Sequence, residues 1–166
     1  MTFGEATARA GTPPFDDAFP ALFRDAYRVA YRLLGDRSEA EDVAQEACAR
    51  TYSRWSSVYD HCTPWCVRVA SNLALDQLRA RTRAIRRNER LQSATATSTI
   101  ATAIDDRLDL SNALAALPRR QRDVVVLRYL GDLSEQQTAT VLGVSVGSVK
   151  THGSRGLAKL REVMAR

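Results

Sequence analysis

Two short helical patterns joined by a glycine, at residues 133–160, constrain the fold of this chain more than any other feature. The stretch reads LSEQQTATVLGVSVGSVKTHGSRGLAKL. Ser134 and Gln137 form the pattern of a capping box that begins one helix, and Gly143 suits the left-handed conformation that ends it. Ser145 then caps a second helix. Two helices at this spacing predict a helix-turn-helix.

The second helix of this pattern carries a polar and basic face. From Lys150 to Arg166 the sequence has five Lys or Arg and one Glu, a local charge of +4, which favours a polyanion through counterion release. Gly153 and Gly156 interrupt this helix, and either close helix packing or close approach to DNA would explain them. The alternative to a DNA-binding face is an ordinary solvated one. Candidates to bond base edges and phosphates in a major groove are Lys150, Thr151, Ser154, Arg155 and Lys159.

A second basic region lies between Arg68 and Arg90, where seven arginines accompany one Asp and one Glu and give a local charge of +5. It continues a helix that is predicted to begin near Pro64 and to run to about Arg83 or beyond. Trp65 is either a core residue or a stacking platform for unpaired bases. Asn and Asp side chains can pair with the edge of a base removed from the stack, although they are also common surface residues. Four side chains three or four residues apart share one helix face: Arg68, Asn72, Asp76 and Arg79.

The sequence before this helix also has helical patterns. One helix is predicted from Phe15 to Leu34, and a second begins with a capping box of Ser38 and Glu41. The small and apolar positions of the second helix are spaced for one buried face, namely Ala40, Val43, Ala44, Ala47, Cys48, Thr51 and Trp55. Its opposite face is largely acidic and carries Glu39, Asp42, Gln45, Glu46 and Arg50. This face does not suit DNA, so it is either solvated or bound by a basic protein partner.

The chain is predicted to be all-α, with two small helical domains. The apolar run at Val124–Leu130 is interpreted as a buried helix because Pro118 precedes it and Gly131 follows it. Residues 92–103, QSATATSTIATA, are uncharged and rich in Ser, Thr and Ala, so they are predicted to form a flexible linker. The predicted divisions are a disordered N-terminus at 1–14, domains at 15–88 and 107–166, and a linker at 89–106.

Composition limits the possible classes of protein. The chain has 166 residues and a net charge of +5, without an apolar run that could span a bilayer or act as a signal peptide, so a cytoplasmic location without membrane insertion is expected. Cys48, Cys62 and Cys66 are expected to be reduced thiols. With His61 and His152 they supply few ligands for zinc, so no metal and no cofactor are expected. No nucleophile–base pair or phosphate-binding glycine loop is found, which argues against an enzyme.

Three segments resemble the sigma factors of bacterial RNA polymerase. GDRSEAEDVAQEACARTYSRW is similar to region 2, in which a D-x-x-Q-[ED] core lies on a polymerase-binding helix. PWCVRVASNLALDQLRART is similar to the helix that melts the promoter and reads the minus-ten element. LPRRQRDVVVLRYLGDLSEQQTATVLGVSVGSVKTHGSRGLAKLR resembles region 4, which reads the minus-thirty-five element. Regions 2 and 4 with only a short linker, and no region 1.1 or region 3 domain, are typical of the extracytoplasmic-function (ECF) group.

The resemblance implies a promoter-specificity subunit that binds core RNA polymerase, recognises duplex and melted promoter DNA, promotes initiation and is held by an anti-sigma factor. It implies contacts with the polymerase β′ clamp helices and β flap, the former through Asp42, Gln45 and Glu46. The implied minus-ten residues are Trp65, Arg68, Asn72, Asp76, Arg79 and Arg83. The implied minus-thirty-five residues are Lys150, Thr151, Ser154, Arg155 and Lys159. One rival interpretation is a helix-turn-helix regulator that acts without polymerase, for which residues 15–87 would have to supply a dimer interface or a ligand domain. A second rival, an enzyme acting on nucleic acid, fails because the sequence has no catalytic carboxylate cluster or metal site.

Overall fold

The computed structural model describes residues 13–91, 110 and 112–165, and every regular element within these residues is helical. The predicted N-terminal segment up to residue 12, and the predicted linker from residue 92 onward, lie outside the described residues. The first four helices are α1 at Phe15–Leu34, α2 at Arg37–Tyr52, α3 at Trp55–Val58 and α4 at Cys62–Leu91, with a 3-10 turn at Tyr59–His61. After a helical turn at 112–115 come α5 at Arg119–Val125, a π-helical turn at Val126–Leu130, α6 at Glu135–Leu142 and α7 at Val146–Met164. The all-α prediction is confirmed.

Helices α1, α2 and α4 form an N-terminal bundle around small residues. Seven buried alanines lie where these helices meet: Ala26, Ala30, Ala40, Ala44, Ala47, Ala70 and Ala74. Because alanine is small, the helix backbones approach closely, and larger side chains such as Leu22, Leu33 and Val43 fill the remaining space. The predicted buried face of α2 is confirmed from Ala40 to Thr51, whereas Trp55 lies in α3 and is only half-buried.

Helix α2 begins earlier than predicted. Gly35 ends α1 with a φ of 70°, and Asp36 follows as the N-cap, its carboxylate accepting a hydrogen bond from the Glu39 N–H at 2.9 Å. The predicted capping box of Ser38 and Glu41 is therefore wrong. Asp caps a helix as well as Ser does, and Asp36 comes two residues earlier, directly after the turn.

Helix α4 agrees with its predicted bounds. It begins at Cys62, near Pro64, and runs to Leu91, beyond Arg83. Pro64 then lies in the first turn, where its missing N–H breaks no helical hydrogen bond. The basic segment is consequently held in one continuous helix of 30 residues.

The C-terminal bundle, residues 112–165, contains the predicted helix-turn-helix. Ser134 Oγ accepts from the Gln137 N–H at 3.1 Å, and Gln137 Oε1 accepts from the Ser134 N–H at 2.9 Å, which confirms the capping box. Gly143 ends α6 with a φ of 63°. Ser145 Oγ accepts from the Ser148 N–H at 3.1 Å and begins α7. Local capping chemistry therefore sets both ends of the turn.

Helix α7 packs closely on α5 through two of its glycines, Gly153 and Gly156. Both are buried, and a Cβ at Gly156 would lie 2.7 Å from Val125 Cγ2 and 3.2 Å from the Gln121 carbonyl oxygen. A Cβ at Gly153 would lie 3.4 Å from Val124 Cγ1. Of the two explanations for these glycines, close packing is the one that the structure supports.

The two bundles contact each other. Arg32 of α1 donates from Nη1 to the Leu130 carbonyl oxygen at 2.8 Å and pairs with Asp132 Oδ2 at 2.6 Å. Arg28 Nε is 3.7 Å from the same carboxylate. Gly131 fits so closely against the N-terminal bundle that a Cβ there would lie 2.7 Å from Val67 Cγ1. Buried apolar residues of both bundles form one continuous core.

Replacing Gly156 by alanine is expected to destabilise the C-terminal bundle. The added methyl group would overlap Val125 and crowd the Gln121 carbonyl, and such overpacking typically costs about 1–3 kcal/mol. Gly147→Ala is the matched control on the same helix, because only Ser145 Oγ lies near its Cβ position, at 3.8 Å. Alanine there should stabilise the helix by up to about 1 kcal/mol. Urea unfolding followed by circular dichroism measures both variants, and equal midpoints would contradict the packing explanation.

Candidate nucleic-acid and partner interfaces

The outer face of α7 is basic and open to solvent. Val149, Gly153 and Gly156 face inward, which leaves five predicted DNA-binding residues exposed: Lys150, Thr151, Ser154, Arg155 and Lys159. Lys150 Nζ is 3.7 Å from Glu135 Oε2, and Thr151 Oγ1 donates to the Gly147 carbonyl at 3.0 Å. These contacts involve exposed groups and are weak, so they leave the cations available to phosphate oxygens.

The α4 face that was predicted to hold melted DNA is only partly exposed. Asn72, Asp76 and Arg83 are exposed and Arg79 is half-buried. Arg79 Nη1 pairs with Asp76 Oδ1 at 2.9 Å, one helical turn away, and Arg83 Nε donates to the Arg79 carbonyl at 3.3 Å. The structure therefore brings these four residues together as a polar surface along α4, as their spacing predicts.

Arg68 differs from its neighbours on α4 because its side chain is hydrogen-bonded to the C-terminal bundle. Its Nη1 donates to the Val141 carbonyl, near the end of α6, at 2.7 Å. A narrow cavity between the bundles is lined by Arg68, Ser71, Asn72 and Leu75 on one side and by Asp123, Val126 and Leu127 on the other. The bundles thus meet at one edge of the predicted minus-ten surface.

A second cation lies near this edge. Burial lowers the pKa of Arg122 on α5, and the positive charge of Arg79 lowers it further. The Nε atom of Arg122 is buried and has no hydrogen-bond partner among the described residues. The contact between the bundles therefore brings the cations Arg79 and Arg122 close together, with the carboxylates of Asp76 and Asp123 nearby.

Trp65 is held by its neighbours. Its ring meets His61 edge-on with centroids 6.4 Å apart, and the Arg54 guanidinium lies 5.8 Å from the ring centroid. The indole is half-buried, and its Nε1 is buried without a hydrogen-bond partner among the described residues. Of the two alternatives for Trp65, packing within the bundle fits this placement better than an open stacking platform.

The acidic face of α2 is exposed, and only some of its carboxylates form ion pairs. Asp42, Gln45 and Glu46 all face solvent. Glu46 Oε1 pairs with Arg50 Nε at 2.7 Å, and Glu39 pairs with Arg81 of α4. No ion pair within the described residues involves Asp42, so its carboxylate is the one on this face most available to a basic partner.

Two of the three thiols lie together in the N-terminal core. Cys48 and Cys66 are buried and Cys62 is half-buried, and all three are free. A hydrogen bond between the two buried thiols lowers the pKa of Cys48, and the same contact together with burial raises the pKa of Cys66. Among the described residues, no three His, Cys, Asp or Glu side chains are placed to hold a metal ion. None of the described helices is both long and apolar enough to cross a membrane.

Sequence reasoning missed two groups of residues. The contacts of Arg28, Arg32 and Asp132 join positions about a hundred residues apart and left no local signal. The second group is a series of aromatic residues on α1, and its regular spacing of four residues was visible in the sequence. The series consists of Phe15, Phe19, Phe23, Tyr27 and Tyr31. Neighbouring ring centroids along this series are 5.9–6.4 Å apart.

Comparison with known proteins matches both bundles. Residues 20–84 match the Sigma-70 region 2 family and residues 107–160 match the Sigma-70 region 4 family. The chain is 37% identical over 137 residues to the RNA polymerase sigma-E factor of Streptomyces avermitilis, covering 81% of this chain and 76% of that protein. It is 31% identical over 157 residues to the ECF RNA polymerase sigma factor SigW of Bacillus subtilis, covering 85% of this chain and 84% of that protein.

The chain belongs to the ECF sigma factor family. The N-terminal bundle contains its region 2 and the C-terminal bundle its region 4, so it is a promoter-recognition factor for transcription initiation. Two solved structures share the fold. One is a sigma factor RpoE bound to the anti-sigma factor NepR from Bartonella quintana, at 20% identity and a TM-score of 0.55, covering 91% of this chain and 96% of that one. The other is CnrH bound to the cytosolic domain of CnrY, at 18% identity and a TM-score of 0.56, covering 91% and 87%.

Reversing the charge of Asp132 is expected to separate the two regions of this sigma factor. Asp132→Arg would replace the carboxylate that pairs with Arg28 and Arg32 by a third cation. These side chains are exposed enough that each pair contributes no more than about 1 kcal/mol, so a several-fold rise in the open population is expected. Small-angle X-ray scattering should show a larger radius of gyration.

The charge-swapped double variant Arg32→Asp with Asp132→Arg is the control, because it restores one opposite-charge pair and should restore compactness. A radius of gyration that is the same in all three proteins would show that these residues do not hold the regions together.

Proposed function

We propose that three separate surfaces of this sigma factor divide the work of initiation. The acidic face of α2 binds core polymerase, the α4 face binds melted minus-ten DNA, and the outer face of α7 binds the minus-thirty-five duplex. The functional domains are proposed to span residues 15–88 and 107–166, with 89–106 linking them. The observation that supports this most directly is the presence of an exposed acidic face, an exposed basic face and a partly exposed polar face on three separate helices of one chain.

Docking on polymerase is assigned to Asp42, Gln45 and Glu46, with the β′ clamp helices as the partner. Asp42 is exposed and has no ion pair among the described residues, so a basic partner can interact with its carboxylate without displacing another cation. Glu46 must break its ion pair with Arg50 before it can bind the partner. The loss of this pair costs little free energy because both side chains are exposed. An acidic surface also repels DNA, which keeps this face apart from the two nucleic-acid faces.

The α4 face is assigned to unpaired promoter bases. Asn72 and Asp76 offer amide and carboxylate groups that can pair with the edge of an extruded base. Arg79 and Arg83 lie one and two turns farther along and suit the backbone phosphates. Arg68 becomes available only when its bond to Val141 is broken, and Trp65 supports the surface from within.

The α7 face is assigned to the duplex, through Lys150, Thr151, Ser154, Arg155 and Lys159. Cations and hydroxyls on the exposed side of the second helix of a helix-turn-helix match major-groove readout. Each DNA surface alone is small and weak. Mounting both on polymerase, with a β flap contact for region 4, makes the second contact intramolecular and raises the overall affinity.

The chain is proposed to act in the cytoplasm as a binding factor and not as an enzyme. One of the solved structures above contains a sigma factor in complex with an anti-sigma factor, and the other contains CnrH in complex with the cytosolic domain of CnrY. We propose that an anti-sigma factor likewise holds this chain. Its binding would compete with polymerase if it covered the α2 face.

Reversing the charge of Asp42 is expected to weaken core-polymerase binding on the order of tenfold, because an attractive contact becomes a repulsive one. Fluorescence anisotropy of labelled sigma factor titrated with core polymerase measures the dissociation constant. Glu162→Arg, an exposed charge reversal on α7, is the matched control and should bind core normally. Unchanged binding of the Asp42→Arg variant would refute the assignment of this face to polymerase docking.

Asn72→Ala is expected to impair promoter opening more than initial promoter binding, because the amide would contact only an extruded base. Permanganate reactivity of thymines in the minus-ten region measures opening, and filter binding measures the closed complex. Gln77→Ala removes another exposed amide from α4 and should open the promoter normally. Equal opening by the Asn72→Ala variant and the parent would remove Asn72 from the minus-ten site.

A further inference from the structure

An aromatic cluster lies on the surface where α1 begins and α2 ends. We define it as Phe15, Phe19, Tyr52, Trp55 and Tyr59. Phe15 is central, with ring centroids 5.0 Å from Tyr52, 5.2 Å from Trp55 and 6.0 Å from Phe19. Trp55 extends the cluster to Tyr59 at 6.5 Å. Five rings from three helical segments and a turn therefore form one patch.

Much of this patch is exposed to water. Phe19 is 41% exposed, Tyr52 44% and Tyr59 39%. Burying such rings is favourable, so leaving several of them together at a surface forgoes stability that the bundle could have gained. Contiguous exposed aromatic patches mark interaction sites in soluble proteins.

The cluster is rigid, which suits a docking surface. Trp55 Nε1 donates to the Pro13 carbonyl oxygen at 2.7 Å, and the Phe15 and Trp55 rings meet edge to face at 89°. Preorganised aromatic side chains lose little conformational entropy when a partner binds, so they contribute strongly to affinity. Phe19 and Tyr52 are the two most exposed rings of the cluster and therefore offer a partner the most apolar surface.

The position of Tyr52 indicates which partner this is. Asp42, Gln45, Ala49 and Tyr52 follow each other on α2 at intervals of three or four residues, so they lie along one helix face. All four residues are exposed. The small side chain of Ala49 leaves a flat surface between Asp42, at the acidic end of this face, and Tyr52, at its aromatic end. Ten residues of helix place Tyr52 about 15 Å from Asp42, a span that one partner helix can cover.

Charge disfavours nucleic acid as the occupant. Asp16 and Asp17 are exposed in the first turn of α1 beside Phe15 and Phe19, and Asp60 follows Tyr59. These carboxylates would repel phosphates. They would instead attract a basic protein, as Asp42 and Glu46 do.

We propose that the aromatic cluster is the second half of the polymerase-docking surface, with Phe19 and Tyr52 as its apolar anchors. The occupant is the same basic polymerase element that contacts Asp42, and it carries apolar side chains at the end that reaches Tyr52. This inference rests on the proposed docking role of the α2 face. The acidic end attracts and orients the partner, and the aromatic end slows its dissociation.

The test compares core-polymerase binding of Phe19→Ala, Tyr52→Ala and Asp42→Arg over a series of salt concentrations. Each aromatic variant is expected to raise the dissociation constant at least fivefold, as anchor residues do, with the salt dependence of the parent. Asp42→Arg should instead reduce the salt dependence, because it removes a charge contact. Tyr52→Phe keeps the ring and should bind like the parent.

Ile85→Ala is the matched control. Ile85 is 40% exposed on α4 of the same bundle, so its removal takes away similar apolar surface outside the proposed interface. It should bind core polymerase normally. Thermal unfolding by circular dichroism should show all these variants folded, because the altered side chains are substantially exposed.

Four outcomes would overturn the proposal. Aromatic variants that bind normally while Asp42→Arg binds weakly would exclude the cluster and leave the docking role of α2 intact. Normal binding by all three variants would refute both. Equal loss in Ile85→Ala would show that the loss does not depend on this surface. Aromatic variants that bind polymerase normally but lose single-stranded DNA binding or self-association would assign the cluster to DNA or to a second copy of the chain.

Discussion

Close approach of helices at small residues is the constraint on which both regions depend. In region 2, alanines such as Ala26, Ala44 and Ala70 lie at the crossings, and in region 4 the glycines of α7 lie against the valines of α5. The separation of packed helices depends on the side chains at their contact, so these residues fix how the helices are placed. Once the inner faces are fixed, the outer faces are fixed as well. The recognition face of α7 points outward because Gly153 and Gly156 point inward.

Packing and function thus use opposite sides of the same helices. The inner side of α2 is small and apolar from Ala40 to Thr51, while its outer side carries Asp42 and Glu46. A substitution on the outer side changes a partner's affinity with little effect on folding, because no buried contact is lost. This separation makes charge reversals and aromatic truncations interpretable as binding experiments in this chain.

Features that depend on local chemistry could be predicted from the sequence. The capping box at Ser134, the left-handed Gly143 and the cap at Ser145 each involve atoms within a few residues. The start of α2 was missed even so, because Asp36 and Ser38 are both good caps and only the backbone turn at Gly35 decides between them. The π-helical turn at Val126–Leu130 left no comparable signal.

Contacts between distant segments were beyond sequence reasoning. Nothing near Arg68 indicates that it binds the Val141 carbonyl, and the choice between packing and DNA contact for Gly156 required knowing that Val125 lies opposite. For the candidate sites, spacing correctly placed the exposed residues of α2, α4 and α7 on common faces. Their individual roles depend on partners, whose surfaces the chain does not encode.

If Arg68 binds DNA as proposed, its hydrogen bond to Val141 couples the shape of the free chain to its affinity for DNA. The Nη1 hydrogen that the Val141 carbonyl oxygen accepts is not available to a phosphate oxygen, so full engagement of this guanidinium favours molecules in which the two regions have parted. The apparent dissociation constant is then the intrinsic one divided by the fraction of molecules already parted. With about one molecule in ten parted, binding weakens roughly tenfold. A scaffold that keeps the regions apart would abolish this loss.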